Sequence, residues 1–598
     1  MIVKLSDYVA DFLVNSGINH VFTVTGGGAM HLNDSLGHKE GLKSIYNHHE
    51  QGCAIAAEGY TRLSGKLCAV CVTSGPGGTN AITGVLGGWL DSIPMFVISG
   101  QVKRETTTWS TDVPLRQLGD QEYNIVASVK PMTKYAVMVT EPNDIAYHLE
   151  KALYLSKTGR GGPVWLDIPL DVQAARIETD DLRHFDEAEC ADEKAVPVSD
   201  EEIDAVLAKL KEAKKPVIIA GTGIRLSGGH EEFVKMAEKL GIPVVTAWNA
   251  HDVLWDEHPL FCGRPGTVGT RGGNFIMENA DLIMSIGCRL NIRQISYNFR
   301  NFSKNAYKII VDIDKNELDK PTLSPDMKVC ADAKDFMIKL TAAAEKSPVS
   351  VDEKWQKWCR NINEKYPAVL DEYKKTDKPL NPYVFMEGLF DCLEEGDPII
   401  TGNGSACVIA FQSANIKKGQ RLFTNSGCAS MGYGLPAALG GAVAWGDRRM
   451  ICLDGDGSLM MNIQELQTIS YNKLNFKLFV LNNNGYHSIR QTQTNLFKPP
   501  FVGVSAESGV SFPEFSKVAD AFGFKYAKVD ALSTMKEDIE AALAIDGPVL
   551  CEVFLDETQF FAPKLSSRVN PDGTIVSPPI DDMFPFLDRE EYEANKFD

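Results

Sequence analysis

The chain has 598 residues, of which 44% are hydrophobic and 23% charged, and its formal net charge is -19. That length allows three or four domains with large buried cores. The acidic balance argues against a basic binding face, so we predict no nucleic-acid partner and no membrane partner. The 13 cysteines are scattered, residues 1–7 lack signal-peptide character, and no apolar run reaches the roughly 20 residues that span a bilayer. We therefore predict reduced thiols and a cytoplasmic location.

Two acidic stretches without helical or strand periodicity divide the chain, at residues 186–201 and 345–353. In each part between them, short apolar runs alternate with helical patterns, and this alternation predicts parallel sheets with helices on both faces. We therefore predict an α/β protein built from three doubly wound parallel-sheet domains. The predicted boundaries are residues 1–185, 200–345 and 360–557, followed by a tail at residues 558–598.

The first part carries two informative stretches, each beside a predicted element. Residues 48–52, His-His-Glu-Gln-Gly, open a predicted helix whose small side chains permit close packing. Taken alone, Glu50 is typical of a first-turn acid that the helix dipole stabilises. Residues 73–80, Thr-Ser-Gly-Pro-Gly-Gly-Thr-Asn, follow a predicted strand. Glu50 alone is therefore compatible with a structural role at the helix start and with a functional role. The motifs elsewhere in the chain are needed to choose between the two roles.

The middle part gives weaker signals for a nucleotide site. Gly-Thr-Gly at residues 221–223 follows a predicted strand, and residues 263–273 are rich in glycine. Arg289 and Arg293 are four residues apart, which would also suit a solvated helical face. A bound dinucleotide and a solvated surface both remain compatible with this pattern.

The most informative pattern lies at the ends of two predicted strands in the third part. The apolar run at residues 450–453 ends in Asp-Gly-Asp-Gly, where glycines let the backbone turn tightly and approach a ligand. A predicted helix follows, and a second strand, residues 476–481, ends at Asn-Asn-Asn-Gly, residues 482–485. Both loops therefore lie at the carboxyl ends of strands, where open α/β sheets bind ligands. One carboxylate, one amide oxygen and one backbone carbonyl suit Mg²⁺, which takes few protein ligands. The apolar positions of the predicted helix are Leu459, Ile463, Leu466 and Ile469.

These motifs together resemble the fingerprint of thiamine diphosphate (ThDP)-dependent 2-oxoacid enzymes. Residues 73–80 and 90–102 resemble the large catalytic subunit of acetolactate synthase, and the resemblance runs from about residue 5 to residue 557. It implies an aminopyrimidine-binding domain, a central flavin-type domain and a diphosphate-binding domain. It also implies ThDP and Mg²⁺ as cofactors, with FAD in the central domain. Because the family's glutamate acts on a cofactor held by the partner subunit, it implies at least a homodimer, with homotetramers common.

The same resemblance assigns roles at the cofactor. Glu50 matches the glutamate that protonates the aminopyrimidine ring, Met431 the apolar wedge under the thiazolium, and the Ala429 carbonyl an acceptor for the aminopyrimidine. Asp456, Asn483 and the Gly485 carbonyl match the magnesium ligands. Ser405 and Ala406 stand where the family has Gln-His, and the Ser405 hydroxyl could donate to the diphosphate. The residues expected at the cofactor are Glu50, Thr73, Gly404, Ser405, Ala429, Met431, Gly455, Asp456, Gly457, Ser458, Asn483, Gly485, Tyr486 and His487.

The resemblance also bears on the second substrate. Arg289 would flank the flavin, and Arg293 matches an arginine that binds the carboxylate of a second 2-oxoacid. Residues 103–110 lack the histidine pair of simple pyruvate decarboxylases, which favours transfer of the two-carbon unit over release of aldehyde. The residues expected to take part in acceptor positioning or proton transfer are Gln121, His31 and His487. Those expected to line the acceptor pocket are Gly27, Gly28, Asp120 and Thr492.

Several of these residues depart from the family pattern toward polarity. Asp120 replaces an aromatic residue, Thr492 replaces a tryptophan, and His31 stands on a lip that is normally apolar. His487 also makes the expected acceptor pocket more polar. Because placed polar groups select hydroxyls, we predict a carboligase that decarboxylates pyruvate and uses a hydroxylated ketone, such as a keto-sugar, as acceptor. The alternative is acetolactate synthase proper, which joins two pyruvates in branched-chain amino-acid biosynthesis. A simple decarboxylase would need the histidine pair, and a non-catalytic paralogue predicts damage to Glu50 or the magnesium ligands.

The tail is rich in proline and aromatic residues and departs from the family. It would suit either a lid that closes over the acceptor site or a strap packed on the surface.

Overall fold

The computed structural model describes residues 1–569 and 572–597 of the chain. Its first part contains a six-stranded parallel sheet. In spatial order the strands are Lys43–Tyr46, His20–Thr23, Ala69–Val72, Met95–Gln101, Pro163–Pro169 and Tyr135–Met138. The helices around this sheet are Leu5–Asn15, Met30–His38, Glu50–Ser64, Pro76–Asp91, Ile125–Val129, Ile145–Lys157 and Leu170–Gln173. A separate antiparallel pair joins Ile2–Lys4 to Arg176–Glu178.

The middle part contains a five-stranded parallel sheet in the doubly wound order 2-1-3-4-5. In space the strands run Val244–Thr246, Pro216–Ala220, Leu282–Ile286, Tyr307–Asp312 and Met327–Cys330. Its helices are Asp200–Glu212, Gly223–Leu226, His230–Leu240, Arg271–Asn279, Ile292–Ile295, Lys315–Asp319 and Ala333–Lys346, with Glu353–Lys365 leading to the next part.

The third part repeats the strand order of the first, 2-1-3-4-6-5 counted within each sheet. Its strands in space are Arg421–Phe423, Pro398–Thr401, Met450–Gly455, Phe476–Asn482, Val549–Phe554 and Lys525–Val529. Its helices are Pro382–Cys392, Ser405–Ser413, Gly434–Trp445, Asp456–Leu459, Glu465–Tyr471, His487–Leu496, Phe515–Ala521 and Met535–Ala544. The three doubly wound parallel-sheet domains predicted from the sequence are confirmed.

In each sheet the strand order reverses direction beside the first strand, and the glycine-rich loops follow the strands at this point. In the third sheet the switch lies between Pro398–Thr401 and Met450–Gly455. In the first it lies between His20–Thr23 and Ala69–Val72. Crevices at such points are where open α/β sheets bind ligands. The fold therefore directs the predicted motifs of each domain toward a crevice.

The first and third domains share one continuous core, centred on the helices Glu50–Ser64 and Gly434–Trp445. Small residues let the two backbones approach closely. A methyl group on Gly59 would lie 2.2 Å from the Ala437 carbonyl oxygen, and one on Gly440 would lie 1.8 Å from that of Ala56. The small side chains at the start of the chain's His-Glu-Gln helix therefore serve this contact between domains.

Polar contacts fix the central domain against both neighbours. Arg421 donates to the buried carboxylate of Asp252 at 2.7 Å, and Arg160 donates to Asp314 at 3.0 Å and Glu317 at 2.8 Å. Burial alone would raise the pKa of Asp252, but Arg225 and Arg421 outweigh it and lower that pKa to about 2. The carboxylate is therefore charged at neutral pH and holds the central and third domains together.

The tail packs along the central and third domains. Leu565 N donates to Thr267 O at 2.7 Å, Arg271 donates to the Met583 carbonyl at 3.0 Å, and Tyr592 is buried against Phe275. The tail also contains the strand pair Arg568–Val569 and Ile575–Val576 and the helix Arg589–Ala594. Much of it is a packed strap, whereas its first residues reach the candidate site described below.

Cys68 and Cys71 are spaced as a C-x-x-C pair, yet both are buried and free, and burial raises the pKa of each thiol. Neither thiol is therefore poised for redox chemistry or metal binding. No helix in the described part of the chain combines the length and apolar composition that crossing a bilayer requires.

Candidate active site

The Asp456 carboxylate lies at the centre of the loops that follow two neighbouring strands. Its Oδ1 accepts from Gly457 N at 2.7 Å, and its Oδ2 accepts from the backbone N–H groups of Asn483 and Gly485, each at 3.1 Å. The side chain is buried, and burial raises its pKa to about 6 despite these three donors. A cation beside this carboxylate would remove that penalty.

The neighbouring oxygen atoms fit Mg²⁺. The Oδ1 atom of Asn483 is buried and has no hydrogen-bond partner within the described residues, although its Nδ2 lies 3.5 Å from Ser405 Oγ. An orphaned amide oxygen next to one buried carboxylate is a suitable pair of ligands for a hard cation that completes its shell with phosphate and water. No cluster of three or more His, Cys, Asp or Glu residues suited to a metal occurs among the described residues. Of the predicted magnesium ligands, Asp456 and Asn483 fit on these grounds, and the Gly485 carbonyl accepts from His487 N at 3.0 Å.

A cradle for phosphate lies beside this pair. Gly404 caps the helix Ser405–Ser413 at φ +77°, a conformation that a side chain would strain. The backbone N–H groups at that helix start suit an anion. On the other side, Gly457 leaves no room for a methyl group, which would lie 2.3 Å from the Tyr486 ring. The predicted diphosphate residues thus meet at two short turns, and the donors there fit a diphosphate group.

The segment of residues 427–433, here called the cofactor loop, lies next to these turns. Asn403 donates from Nδ2 to the Ser430 carbonyl at 2.8 Å, and Gly432 N donates to Ser458 Oγ at 2.9 Å. Ala429 has φ +53°, which holds its peptide in a left-handed turn, and Met431 is 41% exposed. The predicted apolar wedge is therefore presented outward beside the predicted magnesium and diphosphate residues.

Glu50 begins its helix as predicted, with His49 as the N-cap residue. Its Oε2 accepts from Asn80 Nδ2 at 3.0 Å, and a methyl group on Gly77 would lie 3.7 Å from its Oε1. Glu50 is partly exposed, and within the described residues no hydrogen bond joins it to the third domain. The carboxyl group is thus held in place by Asn80 and is open to a ligand or to a partner.

The loops beside Glu50 bring together the predicted first-domain residues. Gly28 N donates to Thr73 Oγ1 at 3.1 Å, and a methyl group on Gly27 would have open space around it. Gln121 adopts φ +62°, and its carbonyl oxygen approaches the backbone of Gly75. Asp120 is exposed next to it. These residues form a polar rim around the switch point of the first sheet.

The side chains of the acceptor candidates His31 and Thr492 make no hydrogen bond to the residues described above. His31 is partly exposed in the helix Met30–His38, and its ring makes no hydrogen bond to the described residues. Thr492 is exposed on the helix His487–Leu496, and its hydroxyl donates to the Ser488 carbonyl at 3.0 Å. The Thr492 hydroxyl is thus already engaged with its own helix.

His487 lies under the first residues of the tail. Its ring is 5% exposed and packs against Phe560 and Phe561, with ring centroids 5.7 and 5.4 Å apart. Neither ring nitrogen has a partner within the described residues. Burial lowers the pKa of His487 to about 4, so the imidazole is neutral near neutral pH. The tail therefore forms one wall beside the predicted site.

Some buried acids that shape the candidate site were not predicted individually. Asp454 is buried, its pKa is raised to about 7 by burial, and a methyl group on Gly402 would lie 2.0 Å from its Oδ1. Glu465 accepts from Asn47 Nδ2 at 2.8 Å and so fixes the turn before Glu50. The first acid of the Asp-Gly-Asp-Gly run could have signalled Asp454, whereas nothing local marks Glu465.

Two sequence interpretations need correction. The predicted helix after Asp456 is two short helices, because the segment between them turns to let Asn462 donate to the Gly432 carbonyl at 2.7 Å. Arg289 and Arg293 do not share a helical face, since the helix there is only Ile292–Ile295. Arg289 instead lines a cavity, and Arg293 lies 4.8 Å from the centre of the Trp248 ring.

That cavity lies between the first and central domains. Its volume is about 400 Å³, and a second cavity of about 520 Å³ adjoins it. Its walls include the glycine turn after Pro216–Ala220, Arg289 and the strand end at Asp312. Ser426 also lines it, and its buried Oγ has no partner in the described structure. Nucleotide-sized volume at a switch point with an unused hydroxyl fits a dinucleotide.

The geometry defines a class of protein, an enzyme that binds ThDP between a glutamate-bearing domain and a diphosphate-binding domain. Three family models of thiamine pyrophosphate enzyme domains match successive parts of the chain. The N-terminal TPP binding domain matches residues 3–125, the central domain matches residues 203–340, and the C-terminal TPP binding domain matches residues 402–553.

Curated relatives narrow the class. The acetolactate synthase large subunit of Lactococcus lactis subsp. lactis is 32% identical over 578 residues, which are 95% of this chain and 96% of that protein. The acetolactate synthase isozyme 1 large subunit of Escherichia coli is 30% identical over 92% of this chain and 94% of its own length. The chloroplastic acetolactate synthase of Arabidopsis thaliana is 30% identical over 94% of this chain and 83% of its own. The chain belongs to the acetolactate synthase large-subunit family and is a ThDP-dependent carboligase.

Proposed function

We propose that the chain decarboxylates pyruvate and joins the resulting two-carbon unit to the carbonyl of a second 2-oxoacid. With pyruvate as the second 2-oxoacid the product is acetolactate, for which its curated relatives are named. The observation that carries this proposal is the intact pair of half-sites, Glu50 held by Asn80 in one domain and Asp456 beside the orphaned oxygen of Asn483 in the other. A non-catalytic paralogue has no reason to keep both, and residues 103–110 lack the histidine pair that a simple decarboxylase needs.

Each residue has a defined task in this reaction. When bound, ThDP supplies the electron sink for loss of carbon dioxide. Asp456 and Asn483, with the Gly485 carbonyl, would hold Mg²⁺ against the diphosphate. The Glu50 carboxyl would exchange a proton with the aminopyrimidine ring, and Asn80 Nδ2 orients it. The exposed Met431 side chain would supply an apolar contact to the cofactor.

A homodimer is part of the proposal. Glu50 and Met431 are both partly or largely exposed in the single chain. Within the described residues no hydrogen bond joins Glu50 to the cofactor loop. A second copy of the chain would bring its Glu50 to this chain's cofactor loop and cover both surfaces. Two such dimers would form the tetramer expected from the family.

FAD is proposed for the two adjoining cavities between the first and central domains. Their combined size suits a dinucleotide, and Arg289 and Ser426 supply polar groups at the wall. Flavin absorption that stays with the purified protein through gel filtration supports this assignment, and a colourless protein that also fails to take up added FAD contradicts it.

A hydroxylated ketone is a second candidate acceptor. The exposed Asp120 and Gln121 beside the glycine turn of the first domain favour it, because an apolar acceptor would leave those polar groups unpaired. Thr492 gives less support, since its hydroxyl already bonds to its own helix.

The acceptor choice is tested with pure protein, ThDP, Mg²⁺ and FAD. We expect pyruvate alone to give about one acetolactate for each carbon dioxide released. The opposite result is slow carbon dioxide release with little acetolactate, followed by faster release when a hydroxylated ketone is added. That result would mean that the acceptor is the hydroxylated ketone and not a second 2-oxoacid. If the acceptor is a hydroxylated ketone, an Asp120→Phe variant should shift the preference toward pyruvate. If the acceptor is a 2-oxoacid, the same variant should leave the preference unchanged. The control is an Asp112→Asn variant, which changes an exposed acid in the same segment as Asp120.

A further inference from the structure

A buried cluster of charged residues joins the first domain to the cofactor loop. Glu58 lies two turns after Glu50 in the same helix and is 1% exposed. Arg62 donates from Nε to Glu58 Oε1 at 2.9 Å and from Nη2 to Asp91 Oδ2 at 2.8 Å. Tyr433 donates its hydroxyl proton to Glu58 Oε2 at 2.5 Å. The proposed function assigns no role to these four side chains, although Arg62 and Asp91 also line the cavities proposed for FAD.

The cluster contacts both ends of the cofactor loop. At one end, Gly427 N donates to Asp91 Oδ1 at 2.9 Å. At the other end, Tyr433 is bonded to Glu58, and Arg62 bridges Glu58 to Asp91. The two anchor points are therefore parts of one connected network, and a shift of one end is resisted by the other.

The loop between these anchors needs support from outside. Ala429 has φ +53° and Gly432 has φ +81°, both in the left-handed region. Such a residue costs free energy for a side chain like that of alanine and persists only where its surroundings fix it. Gly427 also packs closely against Asp91, because a methyl group added there would lie 2.6 Å from Asp91 Oδ1.

Stability alone is a poor explanation for the cluster. Replacing a buried ion pair by apolar residues of similar volume is often neutral or stabilising. Burial raises the pKa of the Glu58 carboxyl, and the Arg62 guanidinium opposes that rise. The residues of the surrounding core are apolar and already hold the two domains together. The charged network therefore fixes the orientation of the groups that it contacts rather than supplying stability.

We propose that Glu58, Arg62, Asp91 and Tyr433 are positioning residues that hold the cofactor loop in the conformation that receives ThDP. The inference rests on the proposed function insofar as this loop is the one that contacts the cofactor. The cluster acts through Ala429 and Met431 and does not itself touch the cofactor.

The first test is Tyr433→Phe, which removes one hydroxyl and leaves the ring. Because a hydrogen bond to a charged group is lost, we expect the Kd for ThDP, measured by calorimetry with excess Mg²⁺, to rise about tenfold. We expect kcat to fall by a similar factor, KM for pyruvate at saturating ThDP to stay unchanged, and the near-UV circular dichroism of the bound cofactor to weaken. The matched control is Tyr592→Phe, since Tyr592 is also buried and donates to the buried carboxylate of Asp581 at 3.0 Å, in the tail.

A second variant, Asp91→Ala, releases the other end of the loop and leaves the Glu58–Arg62 pair intact. It borders the cavity, so the vacated volume can fill with water. The inference is supported if both loop variants weaken ThDP binding while Tyr592→Phe does not. It is overturned if the loop variants lower the melting temperature as the control does and keep the Kd and kcat within about twofold of wild type. Calorimetry needs no pyruvate, so wild-type protein that binds ThDP but releases no carbon dioxide would count against the proposed function and leave this test decisive.

Discussion

Replacement of Glu50 by glutamine is expected to lower kcat by about 10²–10⁴-fold, the usual contribution of a positioned acid–base group. Glutamine keeps the size of the side chain and can still accept from Asn80, but it cannot exchange a proton. We therefore expect the Kd for ThDP to change little. Steady-state carbon dioxide release from pyruvate and calorimetric ThDP binding measure the two effects separately.

The matched control for this variant is Glu40→Gln, which changes an exposed glutamate of the same domain. It should retain the wild-type kcat. If Glu50→Gln behaves like the control, Glu50 is only a first-turn acid of its helix and the assigned proton exchange is wrong.

Replacement of Asp456 by asparagine is expected to abolish ThDP-dependent activity at ordinary Mg²⁺ concentrations. The carboxylate is the only one among the three proposed ligands, so its loss should weaken Mg²⁺ binding by about 100-fold or more. The new amide also points a donor toward backbone N–H groups that now donate to Asp456. A magnesium titration of ThDP binding measures the shift, and Asp447→Asn, exposed in the same domain, is the control.

The two variants together test the homodimer. If each site takes Glu50 from one subunit and Asp456 from the other, a heterodimer of the two variants keeps one intact site of two. Random pairing then restores about a quarter of wild-type activity when the inactive variants are unfolded and refolded together. Mixtures that remain inactive, although gel filtration shows that dimers re-form, would mean that both residues serve a site within one chain.

The sequence predicted the local parts of the site well. Strand ends and glycine turns are short-range features, so the loops around Asp456, Asn483 and Gly404 fall where the pattern indicated. The helix start at Glu50 was also predicted, because the run of small residues that follows it is visible within a few positions. These features need no knowledge of distant contacts.

What the sequence could not predict depends on residues that are far apart in the chain. The break in the helix after Asp456 exists because Asn462 turns to bond Gly432 and Gln51. His487 was expected in a polar pocket, but the tail brings Phe560 and Phe561 onto its ring. No local pattern around His487 carries that information.

The polar acceptor pocket shows the same limit. Side-chain type suggested that Thr492 widens and polarises the pocket, whereas its hydroxyl bonds to its own helix. Asp120 and Gln121 do lie beside the glycine turn of the first domain, as their position in the loop indicated. The acceptor assay with purified protein, ThDP, Mg²⁺ and FAD therefore decides between a second 2-oxoacid and a hydroxylated ketone.

The central claim is that the chain is a ThDP-dependent carboligase, and a carbon balance tests it most directly. Purified protein is incubated with pyruvate labelled at C1 and C2, with and without ThDP and Mg²⁺, and both carbon dioxide and the labelled two-carbon unit are followed. We expect carbon dioxide release only with both cofactors, and the C2 label in a product with a new carbon–carbon bond. Release of the C2 label as free acetaldehyde, or release that does not depend on ThDP, would contradict the account.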